Sequence, residues 1–465
     1  MSNEDIQQAK RLFGYRNRFN CRYFQTPGRF ASLVETNVTQ LNEPDYSPTR
    51  RTILKNALVS GGTLAASTAL PLLSRSALAQ APGNDVIHIG ASLPLTGSYE
   101  KVARICKDAY DFWTKTYNGK MVVAGKERQI KWTFYDDENN SSRVAQLTEK
   151  LLTSDKVDIL VGSYGTDTIL SQGAIVKKHG KVFVQTGASS IRVDEELGGH
   201  TAFTANGRVG TYGVGAMNYL ATKTPKPKRL ALVIMDDPVY VEIAEGVRQK
   251  CKEHGIELAA EVVLPMNVQD LRPTALKLRT AGPLDVVYNT GWDVICVKLV
   301  EEMAAIGVNP KAFVGGHLTG SPVVKNTLGA KMQGIIGTAV WLPQFGYRDD
   351  KFTSTQEFAE KYRAQFGYTP TYQAAFSYII PWIYQQVLRD ANPADPFNAA
   401  DLRRRLAALD VKDSIWGPIS FDERGRIRRD AAPAIQWMGN PASEKIVSPA
   451  AMAESPGIYP KPTWQ

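Results

Sequence analysis

Arg229-Leu-Ala-Leu-Val-Ile-Met235 is an apolar run stopped by Asp236-Asp237. Residues 240–254 then follow a helical period, and residues 258–264 return to an apolar strand. A buried strand, a helix and a second buried strand in succession predict a parallel pair, because antiparallel neighbours need only a tight turn. The cycle continues in both directions. Upstream come a strand at 86–90, a helix at 100–117, a strand at 130–135, a helix at 143–152, a strand at 157–161, a helix running to 176 and a strand at 182–184. In the first of these helices Val102, Ile105, Ala109, Phe112 and Trp113 recur at spacings of three and four, one apolar face. Residues 208–220 precede the quoted strand, at which the cycle restarts. Downstream lie helices at 271–279 and 294–306 and strands at 285–289, 312–315 and 335–341.

The expected fold class is therefore α/β, with two lobes that each hold a mostly parallel sheet flanked by helices. The pattern occurs twice, on either side of a hinge-like stretch at 203–207. In open sheets of this kind the ligand sits outside the carboxyl ends of the strands. Those ends, at 94–99, 163–166, 186–190, 236–240, 290–292 and 316–319, are rich in Gly, Ser, Thr, Tyr and Trp.

The chain has 465 residues and a net charge of +9, but residues 1–79 hold ten Lys and Arg against five Asp and Glu. The rest is nearly balanced, weak evidence for nucleic acid, which requires a concentrated basic stripe, so no nucleic-acid partner is expected. The front has another explanation. Thr49-Arg50-Arg51-Thr52 opens an apolar stretch broken by Gly61, Gly62 and Pro71, and Ala77-Leu78-Ala79 ends it as a small-residue cleavage site. That is the order of a twin-arginine export signal behind an N-terminal extension, and it predicts a mature protein in the periplasm. Three cysteines remain after it, Cys106, Cys251 and Cys296, all in helical segments and expected as buried thiols.

Catalytic signatures are missing. The five histidines show no metal-ligand spacing, and there is no phosphate-binding loop, dinucleotide-binding glycine pattern or nucleophile elbow. The carboxylates at 136–138 and 236–237 follow strands, where solvated helix caps are the expected role. The sequence thus reads as a binding protein, not an enzyme, with no cofactor and no metal.

Five motifs in order carry a resemblance. Ile89-Gly-Ala-Ser-Leu-Pro-Leu-Thr-Gly-Ser98, Asp158-Ile-Leu-Val-Gly-Ser-Tyr-Gly-Thr166, Phe183-Val-Gln-Thr-Gly-Ala-Ser189, residues 230–240 and Trp416-Gly-Pro-Ile-Ser-Phe-Asp-Glu-Arg-Gly425 resemble the leucine/isoleucine/valine-binding type of periplasmic solute-binding proteins. The resemblance runs from about Val86 to Met438. It implies a type I periplasmic binding fold whose two lobes, joined by three crossings, close over one small molecule. Residues 80–203 with 342–411 would form lobe one. Residues 204–341 with 412–445 would form lobe two, and 446–465 a C-terminal tail.

It also implies a monomer that serves an inner-membrane ABC permease and its ATPase. The family's carboxylate-binding positions fall on Thr166, with Gly165 beside it, and on Gly187 and Ser189, where a hydroxyl and free amides would cradle an anion. Tyr240 and Trp292 match aromatic positions on the opposite lobe, and Tyr99 and Tyr164 stand near the same cleft. One departure bears on the ligand. Where the amino-acid binders place an acidic residue against the ligand ammonium, this chain has His317. An imidazole is a poor partner for a cation, which widens the expected ligand from an amino acid to an aromatic or other organic acid, or an amide. The alternative reading of the same fold is a ligand-sensing module for a membrane receptor.

Overall fold

The computed structural model describes residues 85–316, 324, 327–429, 431–440 and 442–464. The expected export signal and His317 lie outside the described residues. Two sheets organise the chain. In the smaller, β1 (Val86–Leu93) lies between β3 (Lys126–Asp136) and β4 (Ile159–Leu160), parallel to both. Its alternate residues Ile87, Ile89, Ala91 and Leu93 are buried, which fixes the register, since a slip of one residue would turn them outward. A parallel bridge from Val161 to Val184 extends this layer to β5 (Phe183–Gln185) and β6 (Ala202–Thr204).

The sequence reading missed the antiparallel edge strand β2 (Lys120–Val123), which returns as β3 through a tight turn. Ala124 and Gly125 both have positive φ, at 52° and 73°, as a two-residue hairpin turn demands. An alanine in that position hides the turn signal.

Helices α1 (Glu100–Thr116), α2 (Ser141–Thr153), α3 (Thr166–Lys178) and α4 (Ile191–Leu197) cross between these strands. Gly90 shows how closely α2 approaches: a Cβ there would lie 2.9 Å from both Leu151 and Val157 side chains.

The larger sheet runs in the order β15-β14-β11-β10-β9-β7-β8. Its parallel part comprises β7 (Arg229–Met235), β8 (Glu257–Leu264), β9 (Val286–Asn289), β10 (Ala312–Gly315) and β11 (Ile336–Thr338). After a separate antiparallel pair, β12 (Asp410–Val411) and β13 (Ile419–Ser420), the hairpin β14 (Ala434–Met438) and β15 (Ser443–Ser448) adds antiparallel to β11. Helices α5 (Val214–Ala221), α6 (Pro238–His254), α7 (Arg272–Thr280) and α8 (Asp293–Ala305) flank it. Residues 208–220, which the sequence pattern leaves unassigned, hold two short helical pieces. A 3₁₀ turn over Val209–Thr211 leads through Tyr212 and Gly213 into α5. α6 begins two residues earlier than expected because the Asp237 carboxylate caps the amide of Val239 and Pro238 fits the first turn.

From β11 the chain returns to the smaller sheet as α9 (Thr355–Phe366), α10 (Tyr372–Leu388) and α11 (Ala399–Ala407). α10 packs on α1 and on β2. Its Tyr384 hydroxyl donates to Leu160 O at 2.7 Å and accepts from Val184 N at 2.9 Å, tying the helix to two strands. The three free cysteines are buried, as the helical spacing implied. The segment read as a tail is packed onto the larger sheet: Trp464 Nε1 donates to Lys331 O, its ring meets Phe313, and Lys461 N donates to Lys311 O. Among the described residues no helix is long and apolar enough to cross a membrane.

The connections between the two sheets meet at one buried group. Arg426, 1% exposed, pairs with Asp194 of α4 at 2.6 Å and donates to the carbonyls of Asn206 and Ser190. Arg208 grips the same Asp194 and reaches Asp422. Removing one member of a buried pair strands the other in low dielectric. Arg426→Met is therefore expected to lower stability by about 3–5 kcal/mol, read from urea midpoints. Pairing it with Asp194→Asn should recover part of the loss, and an unchanged midpoint in the single variant would refute burial as the source.

Candidate ligand-binding cleft

The carboxyl ends of strands from both sheets border a cleft of about 580 Å³. On the smaller-sheet side, the loop after β4 delivers Tyr164 and Gly165 to the start of α3. The turn after β5 brings Gly187 and Ser189 alongside. The sequence folds this way because two buried glutamines hold the loops from behind. Gln172 of α3 accepts from Ser163 N at 2.9 Å and donates to Val161 O. Gln185 donates to Ala188 O and accepts from Ala188 N, closing the turn. Gly165 has φ 112° and ψ 149°, a region open essentially to glycine alone. Gly187 fills a tighter role: a Cβ there would sit 2.1 Å from Ser163 O and 2.9 Å from Tyr164 Cα.

Seven of the nine residues expected from sequence line the cleft: Tyr99, Tyr164, Gly165, Thr166, Gly187, Ser189 and Tyr240. Trp292 stands one ring back, its centroid 5.8 Å from that of Tyr240, so it braces the cleft wall without lining it. His317 lies outside the described residues. One expectation needs correction. The Gly165 amide is spent on Gly187 O at 3.1 Å, so the glycine shapes the loop but does not offer a free donor. The donors left at the head of α3 are the first-turn amides beginning at Thr166 and the Thr166 hydroxyl, where the helix dipole favours negative charge.

The carboxylates expected as solvated caps divide. Asp237 does cap α6. Asp137 instead is fully buried and accepts from the hydroxyls of Ser92 and Ser163, each at 2.8 Å, so it ties β1, β3 and the loop after β4 together. Burial raises its pKa, against the serine hydrogen bonds that lower it. At the mouth, Arg192 is paired with Asp167 at 3.1 Å. Burial pushes the Tyr240 phenol up to about 12 and those of Tyr164 and Tyr212 upward as well. These rings are neutral hydrogen-bonding groups at ordinary pH. Among the described residues no three His, Cys, Asp or Glu converge as metal ligands.

Sequence reasoning missed several lining residues, among them four on the crossing and the return helix. Asn206 and Tyr212 come from the crossing after β6, and Tyr372 and Phe376 from the first turns of α10. The Tyr-x-x-x-Phe spacing of the last two, one face of a helix, was the available signal.

Two parallel-sheet units sharing one aromatic cleft define a solute-binding protein of the type I periplasmic class. The chain belongs to the periplasmic binding protein family, whose profile matches residues 86–437, and membership carries a periplasmic location. It is similar to Leu/Ile/Val-binding protein homolog 7 of Brucella abortus, 21% identical over 387 residues that cover 80% of this chain and 94% of the relative. Among solved structures it resembles the branched-chain amino acid transporter substrate-binding protein LivJ of Streptococcus pneumoniae, crystallised with isoleucine. Identity is 18%, the TM-score 0.62, and coverage 81% of this chain and 100% of that one. An ABC transporter solute-binding protein of R. palustris, in complex with benzoate, is 17% identical with a TM-score of 0.60, covering 77% and 95%. These likenesses establish the shared fold.

The glycine geometry yields a paired test. Gly187→Ala, forced against backbone, is expected to cost about 1–3 kcal/mol in unfolding free energy. Gly207→Ala, whose Cβ would meet nothing nearer than 3.8 Å, should stay within about 0.5 kcal/mol. Equal urea midpoints for the two variants would show that the cradle yields to a methyl group.

Proposed function

We propose that this protein is the substrate-binding component of an ABC uptake transporter. It captures a small carboxylate-bearing solute and delivers it to an inner-membrane permease and its ATPase. The observation that carries this reading is the unspent first-turn amides and hydroxyl of Thr166, facing a cleft walled by tyrosines. The ligand carboxylate sits on Thr166 and Ser189, in the bay that Gly165 and Gly187 keep open. Its organic part lies among Tyr99, Tyr164 and Tyr240, with Trp292 behind. No bond is made or broken.

Isoleucine and benzoate, the ligands of the two structural relatives, bracket the candidates. The ring-lined wall favours the flat aromatic acid, since stacked faces add to buried area and neutral phenols accept ring substituents. An imidazole at His317, in place of an acidic residue, points the same way. Residues 80–203 with 342–411, and 204–341 with 412–445, move as two lobes, and the ligand drives closure by binding the closed form better. Export follows the twin-arginine route, and the mature protein acts as a monomer.

Thermal shift of the purified protein against leucine, isoleucine, benzoate and hydroxybenzoates tests the reading. Ligand at about 1,000 times its dissociation constant is expected to stabilise the fold by roughly 4 kcal/mol. A response confined to zwitterionic amino acids would remove the aromatic preference. Silence across the panel, with no solute released on denaturation, would overturn the reading.

A further inference from the structure

Glu242 belongs to α6, on the larger-sheet side, yet its carboxylate serves a helix on the other side. Ser190 Oγ–H donates to its Oε1 at 2.6 Å, and Ile191 N–H donates to its Oε2 at 3.2 Å. Ser190 is the N-cap of α4 and the residue after Ser189 of the cradle. The first turn of α4 is thus capped twice: by its own serine, which accepts from Arg192 N at 3.3 Å, and by a carboxylate from across the cleft.

The connecting chain changes allegiance at the same place. Val209 N donates to Ser189 O, on the cradle side. Three residues on, Tyr212 O accepts from the Thr338 hydroxyl of β11. Between them, Gly210 is seated against α6 so closely that a Cβ on Gly246 would lie 2.0 Å from Gly210 O. Glu242 stands one turn of α6 before Gly246 and spans the point where the two sides part. A motion that draws the head of α4 away from α6 stretches or breaks the two hydrogen bonds of Glu242.

We infer that Glu242 is a positioning residue for the anion cradle, a latch that orders Ser189-Ser190 and the head of α4 only while the lobes are together. The inference rests on the two-lobe reading proposed above. It makes cradle order and lobe closure one equilibrium, because the same carboxylate satisfies a helix terminus on one side and is anchored to the other.

The test needs no ligand. Spin labels on Lys115→Cys of α1 and Lys277→Cys of α7, both exposed positions, report the distance between the two sides in the full-length protein. Hydrogen exchange reports the Ile191 amide. Glu242→Ala is expected to broaden and lengthen the distance distribution and to speed Ile191 exchange at least about tenfold, the effect of losing a charged acceptor. Ser190→Ala in that background should add little. Glu242→Gln, which keeps size and one acceptor, should fall between, and stands in should the alanine variant fail to fold. A folded Glu242→Ala protein whose distribution superposes on that of the unmutated protein overturns the inference. A silent solute screen beside a loosened Glu242→Ala protein would instead remove the carboxylate reading and leave the latch in place.

Discussion

The Arg426 guanidinium, buried against Asp194, is the fixed point on which the rest of the arrangement depends. Its remaining N–H groups go to Ser190 O, beside the cradle, and to Asn206 O, on the crossing that lines the cleft. Arg208 and Asp422 extend the pair so that two positive and two negative side chains balance. A buried ion pair contributes little net stability, since desolvation offsets its attraction. What it supplies here is geometry: the head of α4, the crossing after β6 and the strand-like segment around Arg426 are pinned to one another.

The cradle shows the same economy of fixed geometry. Buried Gln172 and Gln185 close its loops from behind, and Gly187 leaves no room for a side chain. The opposite wall is built from Tyr240, backed by Trp292, on elements that follow β7 and β9. In the proposed function, a polar cradle facing an aromatic wall on a separate sheet divides the work of recognition. One side would fix where the ligand's charge sits, and the other would judge the shape of what is attached to it.

How much of this was legible in sequence follows from which residues carry a local signal. β7 was read to the residue, because a strand buried on both faces is a continuous apolar run bounded by Asp236. β2 was invisible because Ala124, not Asn or Asp, occupies a left-handed turn position. α10 buries nearly every face, so it has no polar stripe to set its period, and its Tyr372 and Phe376 went unnoticed as cleft residues. Asn206 and Tyr212 lie on a crossing, where no periodicity exists to mark which side chain points inward. The family resemblance pointed to the loops after β4 and β5, but only atomic contacts reveal that the Gly165 amide is already engaged.

The Tyr384 hydroxyl joins Leu160 and Val184 across sequence separations of 224 and 200 residues. This imposes an order on folding. The larger-sheet βα units close over short loops and can form as they are synthesised, whereas the smaller sheet must wait for α10 before α1 and β2 are covered. Until then the apolar flank of α1 is open to water, while the larger sheet in turn waits for β14 and β15 to cover its edge. A long return segment thus sets when the molecule is whole as well as how it is held together.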